Sequence, residues 1–142
     1  NGIEPLSKML ELRFIKYGVF TGTMNDNQKQ KIVERYNERE IDVLLLSTAG
    51  GEGLDLKNTR QIHIMEPHWN ISKIKQVIGR GVRYKSHSSL PKEERNVKVY
   101  YWISVPLNYG EKLGADEYLY KISDKKDREI NLFLETIKEN SI

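Results

Sequence analysis

The stretch Ile41–Leu56, "IDVLLLSTAGGEGLDL", is an apolar run of strand length that breaks into a glycine-rich loop. Val43 to Leu46 show no alternation of polar and apolar residues. An uninterrupted apolar strand is one covered on both faces, the habit of a parallel sheet flanked by helices. In such a sheet the loops at the C-terminal ends of the strands form the ligand crevice. Gly50, Gly51 and Gly53 occupy that position, where a missing Cβ lets backbone amides approach a phosphate closely. A tight turn that needs positive φ angles would use the same residues. Asp55, just beyond them, is placed to accept a hydrogen bond from a hydroxyl such as that of a ribose, or from an arginine. The loop matches neither GxGxxG nor GxxxxGK[ST], so alone it is no nucleotide fingerprint.

The flanking sequence alternates helical and strand-like segments. Residues 4–17, "EPLSKMLELRFIKY", put Leu6, Met9, Leu10 and Ile15 at helical spacing, with Pro5 suited to a first turn. "GVFTG" follows as a short strand. In "NDNQKQKIVERYNE", Asn25 with Gln28 three residues later predicts a capping box, and Ile32, Val33 and Tyr36 give the helix one apolar face. "RQIHIM" and "VKVYYWI" are two further strand-length runs, separated by a helix that Asn70 is expected to cap. Residues 115–140 read as one long amphipathic helix with Leu119, Ile122, Ile130, Phe133 and Ile137 on a stripe. The expected fold is therefore α/β, a mostly parallel sheet flanked by helices, in a single domain over residues 1–142. "KSHSSLPKEERN" is the most loop-like stretch, and no internal repeat or low-complexity tract interrupts the pattern.

Composition narrows the function without naming it. With 142 residues, 38% of them hydrophobic, the chain is long enough to bury a real core. It has no cysteine, which excludes thiolate metal sites and disulfides, and its three histidines are scattered. His63 lies within an apolar strand and His68 beside Trp69, and both are expected to be structural. No apolar run reaches the roughly 18 residues of a membrane helix, and the N-terminus carries no secretory pattern, so an intracellular protein is expected. A net charge of +3 permits a polyanionic partner and suits many other proteins equally.

A second unusual segment is "SKIKQVIGRGVRYK", residues 72–85. At about 100° per residue, Gln76, Arg80 and Arg83 fall within roughly 60° of one another on a helix, opposite Ile74, Val77, Ile78 and Val82. Gly79 and Gly81 each cost a helix about 1 kcal/mol against alanine, so their presence suggests close approach of another backbone. A solvated charged face on a core helix would show the same spacing.

Together the two segments resemble motifs V and VI of superfamily 2 helicases and translocases. "LLSTAGGEGLDL" is similar to motif V, and "QVIGRGVR" to motif VI in its QxxGRxxR form, both in the second RecA-like lobe. "VFTGTMNDNQKQKIVERYN" resembles the strand and helix before motif V, and "MEPHWN" the step before motif VI in Swi/Snf-type motors. The tail is similar to the end of the helicase domain in nucleoside triphosphatases and early transcription factors of large DNA viruses. The resemblance implies that Arg80 and Arg83 reach the γ-phosphate of ATP as arginine fingers, with Gln76 ordering the same interface. It implies that Gly53, Asp55 and Gly79 lie at the nucleotide, and that Ser47, Thr48, Thr21 and Gly22 meet the DNA or RNA backbone, positioning the strand without reading it. Trp69 would pack under the motif VI helix.

The chain contains no GxxxxGK[ST] anywhere and no DExx box at the end of a strand. ATP and magnesium are thus expected to be bound mainly by an N-terminal RecA-like lobe of the same protein, and the isolated chain to hydrolyse no ATP. The strand carrying motif IV is also expected to precede this chain, leaving the sheet without its first strand. Transcription machinery is a further implied partner, a membrane is not, and a viral source would add virion and host cytoplasm as locations. A docking or nucleic-acid-binding module that kept the fold without the motor is the competing reading, against which the intact QxxGRxxR speaks.

Overall fold

The computed structural model describes residues 2–47, 54–68, 70–106 and 114–140, apart from the side chains at positions 137 and 140. In chain order the elements are α1 (Ile3–Leu12), β1 (Tyr17–Phe20), α2 (Asp26–Asn37), β2 (Val43–Leu46), β3 (Gln61–Ile64), α3 (Ile71–Gly81), a 3-10 turn at Lys92–Glu94, β4 (Lys98–Tyr101) and α4 (Ala115–Asn140). The four strands pair in parallel, β1 with β2 and β3 with β4, as two two-stranded ladders. The expected α/β architecture with parallel strands is present; among the described residues the ladder is not continuous. Two compact units divide the chain, Asn1–Arg60 with Gly79–Val97, and Gln61–Ile78 with Lys98–Ile142.

In the first unit, α2 carries the chain from β1 to β2, and its apolar face covers the ladder. Asn25 and Gln28 form the predicted capping box, each side chain bonding the other's backbone N–H. Phe20, Leu54 and Leu56 form the buried centre, with Ile32, Val33, Tyr36, Leu44 and Leu46 packed against it. Gly18 on β1 is closely packed: a Cβ there would lie 2.7 Å from Ile41 Cδ1 and 3.2 Å from Ile32 Cγ2, so those side chains would have to shift.

Both α1 and α2 end in Schellman motifs on residues other than glycine. Phe14 and Arg39 take φ of 55° and 62°, and Ile15 N–H bonds Leu10 O as Glu40 N–H bonds Arg35 O. This is why α1 stops at Leu12 although the apolar spacing continues to Ile15: the chain turns through Phe14, whose ring is 95% exposed.

In the second unit, β3 and β4 align Gln61 with Lys98 and His63 with Tyr100. Asn70 caps α3 as expected, its Oδ1 accepting from Ser72 N–H at 3.0 Å. The first half of α4 packs within this unit: Leu119 and Ile122 are half-buried, Ser123 is buried, and Tyr120 meets Tyr101 edge-on. Lys75 of α3 pairs with Asp127 of α4 at 2.6 Å. Beyond that point the predicted stripe is not covered, and Ile130 and Phe133 are exposed.

Candidate functional site

The C-terminal ends of β1 and β2 are neighbours because the ladder register pairs Phe20 with Leu46. Thr21, Gly22 and Ser47 therefore emerge side by side, where a parallel sheet offers its crevice. Thr21 Oγ1 is 2.9 Å from Thr23 Oγ1, Gly22 is exposed, and Ser47 N–H is committed to Phe20 O at 3.0 Å. What Ser47 can present is consequently its hydroxyl, not its amide. Thr48 and Gly53, with Gly50, Gly51 and Trp69, lie outside the described residues.

Asp55 is held between two anchors. Leu54 and Leu56 are buried on either side, which turns the Asp55 carboxylate outward. Asn37, the last residue of α2, donates from Nδ2 to Asp55 O at 3.0 Å and accepts Lys57 N–H at 2.8 Å. One side chain thus fixes the backbone on both sides of Asp55. Nothing in the sequence pattern singled Asn37 out, since a polar residue ending a helix is common. Of the two partners expected for Asp55, the structure supplies the arginine: Arg83 Nη1 lies 3.4 Å from Asp55 Oδ1, both side chains being 58% exposed.

Gln76, Gly79 and Arg80 lie on α3, but Arg83 does not. The helix ends at Gly81, so Arg83 leaves from the following turn and helical periodicity no longer sets its direction. Two glycines in three residues weaken the helix at that point, which explains the early stop. Val82, expected on the apolar face, is for the same reason 50% exposed, whereas Ile74 is buried. Arg80 is half-buried, and its guanidinium has no hydrogen-bond or ion-pair partner among the described residues; Gln76 is exposed and equally unengaged. The close approach inferred at Gly79 is not made by any described residue, because among these a Cβ there would meet nothing within 4 Å.

His63, expected to be structural and without a clustered partner, does have partners. It is exposed, stacks on Tyr100 with ring centres 4.8 Å apart, and accepts the Trp102 Nε1 hydrogen at Nδ1, 3.1 Å away. The parallel register creates this cluster by bringing two distant strands together, which single-strand patterning does not reveal. His68 Nδ1 accepts Asn70 N–H at the start of α3. No group of three His, Cys, Asp or Glu among the described residues could hold a metal ion, and no described helix is long and apolar enough to cross a membrane.

Comparison with known proteins shows the family and the fold. The profile of the helicase conserved C-terminal domain matches residues 1–85. A protein of Acanthamoeba polyphaga mimivirus, named as a candidate ATP-dependent RNA helicase, is 47% identical over 142 residues, covering 100% of this chain and 32% of that protein. Nucleoside triphosphatase I of Amsacta moorei entomopoxvirus is 36% identical over 75% of this chain and 16% of its own length. The termination factor NPH-I homolog of African swine fever virus is 30% identical over 94% of this chain and 21% of its own. The chain thus spans a third or less of these relatives. Among solved structures, the C-terminal part of the Fun30 ATPase domain superposes with a TM-score of 0.62 at 18% identity, over 87% of this chain and 43% of that one. The yeast DEAD-box splicing factor Prp28 gives 0.58 at 14% identity, over 89% and 25%. Both likenesses show the fold, that of a RecA-like helicase C-terminal lobe.

Proposed function

This chain belongs to the helicase conserved C-terminal domain family, and from that premise we propose that it is the second motor lobe of an ATP-dependent helicase or translocase acting on DNA or RNA. In this reading it faces an N-terminal RecA-like lobe of the same protein, which binds most of the ATP and magnesium. The observation that carries the reading is Arg80: a half-buried residue whose guanidinium has no anion partner among the described residues, four positions beyond a Gln76 equally unengaged there. A planar fork of donors left open in this way suits an incoming phosphate. Arg83, loosely paired with Asp55, supplies a second cation. Charge that spreads over the γ-phosphoryl oxygens during transfer would be stabilised by both, an effect of about 10³- to 10⁵-fold in nucleotide hydrolases generally. Gly79, open on its outer side, leaves room for the opposing lobe.

Thr21, Gly22, Ser47 and Thr48 would meet the nucleic-acid backbone, and Gly53 with Asp55 would border the nucleotide. The viral relatives, one of them named a termination factor, support a viral motor that works with transcription machinery. The test is nucleic-acid-stimulated ATP turnover by the full-length protein carrying this chain. Arg80→Ala is expected to lower it by orders of magnitude at an unchanged melting temperature. Near-normal turnover in both Arg80→Ala and Arg83→Ala would instead support the non-catalytic docking module.

A further inference from the structure

We propose that Ser86 and His87 are positioning residues for Arg83, clamping the turn after α3 in register with the segment that carries Asp55. The proposal rests on the reading of Arg83 as an arginine of the ATP site. Since Arg83 lies beyond the end of α3, the helix does not hold it, and something else must. Its carbonyl receives two bonds from one residue, Ser86 N–H at 3.0 Å and Ser86 Oγ at 2.7 Å. The Ser86 carbonyl accepts Asn58 N–H at 2.9 Å, and Ser89 Oγ donates to Asn58 Oδ1 at 3.0 Å. His87 adds a second tie, with Nε2 2.6 Å from Thr59 O and Nδ1 2.8 Å from Ser86 Oγ.

The donors sort themselves by elimination. A carbonyl only accepts, so His87 Nε2 carries the hydrogen directed at Thr59 O. The single hydroxyl proton of Ser86 serves either His87 Nδ1 or Arg83 O, while Ser86 N–H holds Arg83 O in both cases. Thr59 and Ser86 are buried, at 4% and 9% exposure, and Tyr36 OH fixes Thr59 from α2 at 3.0 Å. Asp55 stands three residues before Asn58 and Arg83 three before Ser86, so the clamp joins the two segments one short step from the Asp55–Arg83 pair.

Two features separate positioning from ordinary packing. Val82, Arg83, Tyr84 and Lys85 are all exposed, Tyr84 at 88%, so this part of the turn buries little apolar surface. Lys85 and Asn58, on either side of the clamp, take φ of 61° and 57°. A lysine in the left-handed region is sterically disfavoured, and such strain persists where surrounding bonds over-determine the backbone.

The experiment is steady-state ATP turnover by the full-length protein for Ser86→Ala, His87→Ala, His87→Gln and His87→Asn, with His87→Ala repeated in an Arg83→Ala background. Misplacing a reacting group by about 1 Å costs up to about 100-fold, so His87→Ala and Ser86→Ala should lower kcat by about 10- to 100-fold with little change in the KM for ATP. Glutamine can offer a donor near the former Nε2 and should restore most of the turnover. Asparagine reaches only the Nδ1 position and should not. With alanine at position 83 the His87 substitution should have no further effect. Normal kcat in His87→Ala beside a damaged Arg83→Ala overturns the clamp alone. A loss that is multiplicative in both backgrounds, or that follows the melting temperature, assigns the network to stability and also overturns it. Normal turnover in Arg83→Ala removes the reading of Arg83 and the clamp's purpose with it. If His87→Ala does not fold, Ser86→Ala and the glutamine and asparagine variants decide between the same outcomes.

Discussion

The Arg83 guanidinium lies 3.4 Å from Asp55 Oδ1 across 28 residues of chain, and both side chains are more than half exposed. An ion pair in that setting contributes about 0.2–1 kcal/mol, less as salt rises. Its geometric consequence is larger, because it is the contact that directs the Arg83 side chain after the helix has ended. Asp55→Ala should therefore change stability by less than about 1 kcal/mol in chemical denaturation, while lowering ATP turnover of the full-length protein several-fold. Asparagine, which keeps an acceptor and loses the charge, should fall between. A destabilisation that accounts for the whole loss of turnover would show the pair to be a fold contact only.

Gly18 gives a test of the first unit's packing that is independent of function. A Cβ at this position would press on Ile41 Cδ1 at 2.7 Å and Ile32 Cγ2 at 3.2 Å. Overpacking a well-filled core costs about 1–3 kcal/mol, and Gly18→Ala should show a loss of that order. Ile41→Val removes the very methyl that obstructs, so the double variant should recover part of it. Additive losses would mean that the obstruction lies elsewhere.

The helix ends at Phe14 and Arg39 predict a gain. Each takes a left-handed conformation that glycine adopts without steric cost. Phe14 is 95% exposed, so removing its ring sacrifices no burial. Phe14→Gly and Arg39→Gly should each raise stability by up to about 1 kcal/mol, read as a higher denaturation midpoint with an unchanged slope. A lower midpoint in Phe14→Gly would indicate that the exposed ring makes contacts in solution.

Much of the fold was legible because its signals are local. Asn25 with Gln28 and Asn70 before α3 announce helix starts through side-chain chemistry, and the four apolar runs are short enough to be strands. Helix ends were less legible, since Phe14 and Arg39 occupy positions where glycine would have marked the stop. The same limit misplaced Arg83: periodicity puts it on the face of Gln76 and Arg80, but periodicity does not say that the helix ends at Gly81. The His63–Tyr100–Trp102 cluster and the Ser86–His87 clamp depend on register and on long-range hydrogen bonds, which a linear pattern does not carry. The α4 stripe is legible as a pattern through Phe133, yet Ile130 and Phe133 in its second half are uncovered, because a pattern states which residues are apolar and not what meets them.

Ser47 offers a way to tell a hydroxyl contact from a charged one at the proposed nucleic-acid surface. Its amide already bonds Phe20 O, so only its Oγ can reach a phosphate. A neutral hydroxyl releases no counterion, whereas each Lys or Arg that neutralises a phosphate adds about 0.9 to the slope of log K against log salt on duplex DNA, or about 0.7 on a single strand. Ser47→Ala in the full-length protein should therefore weaken binding by about 0.5–1.5 kcal/mol, equally on unrelated sequences, and leave the salt slope unchanged. Equilibrium titrations at several salt concentrations on two strands of different sequence measure both quantities. A loss confined to one sequence would mean that Ser47 reads a base. Unchanged affinity on every strand would remove Ser47 from the interface.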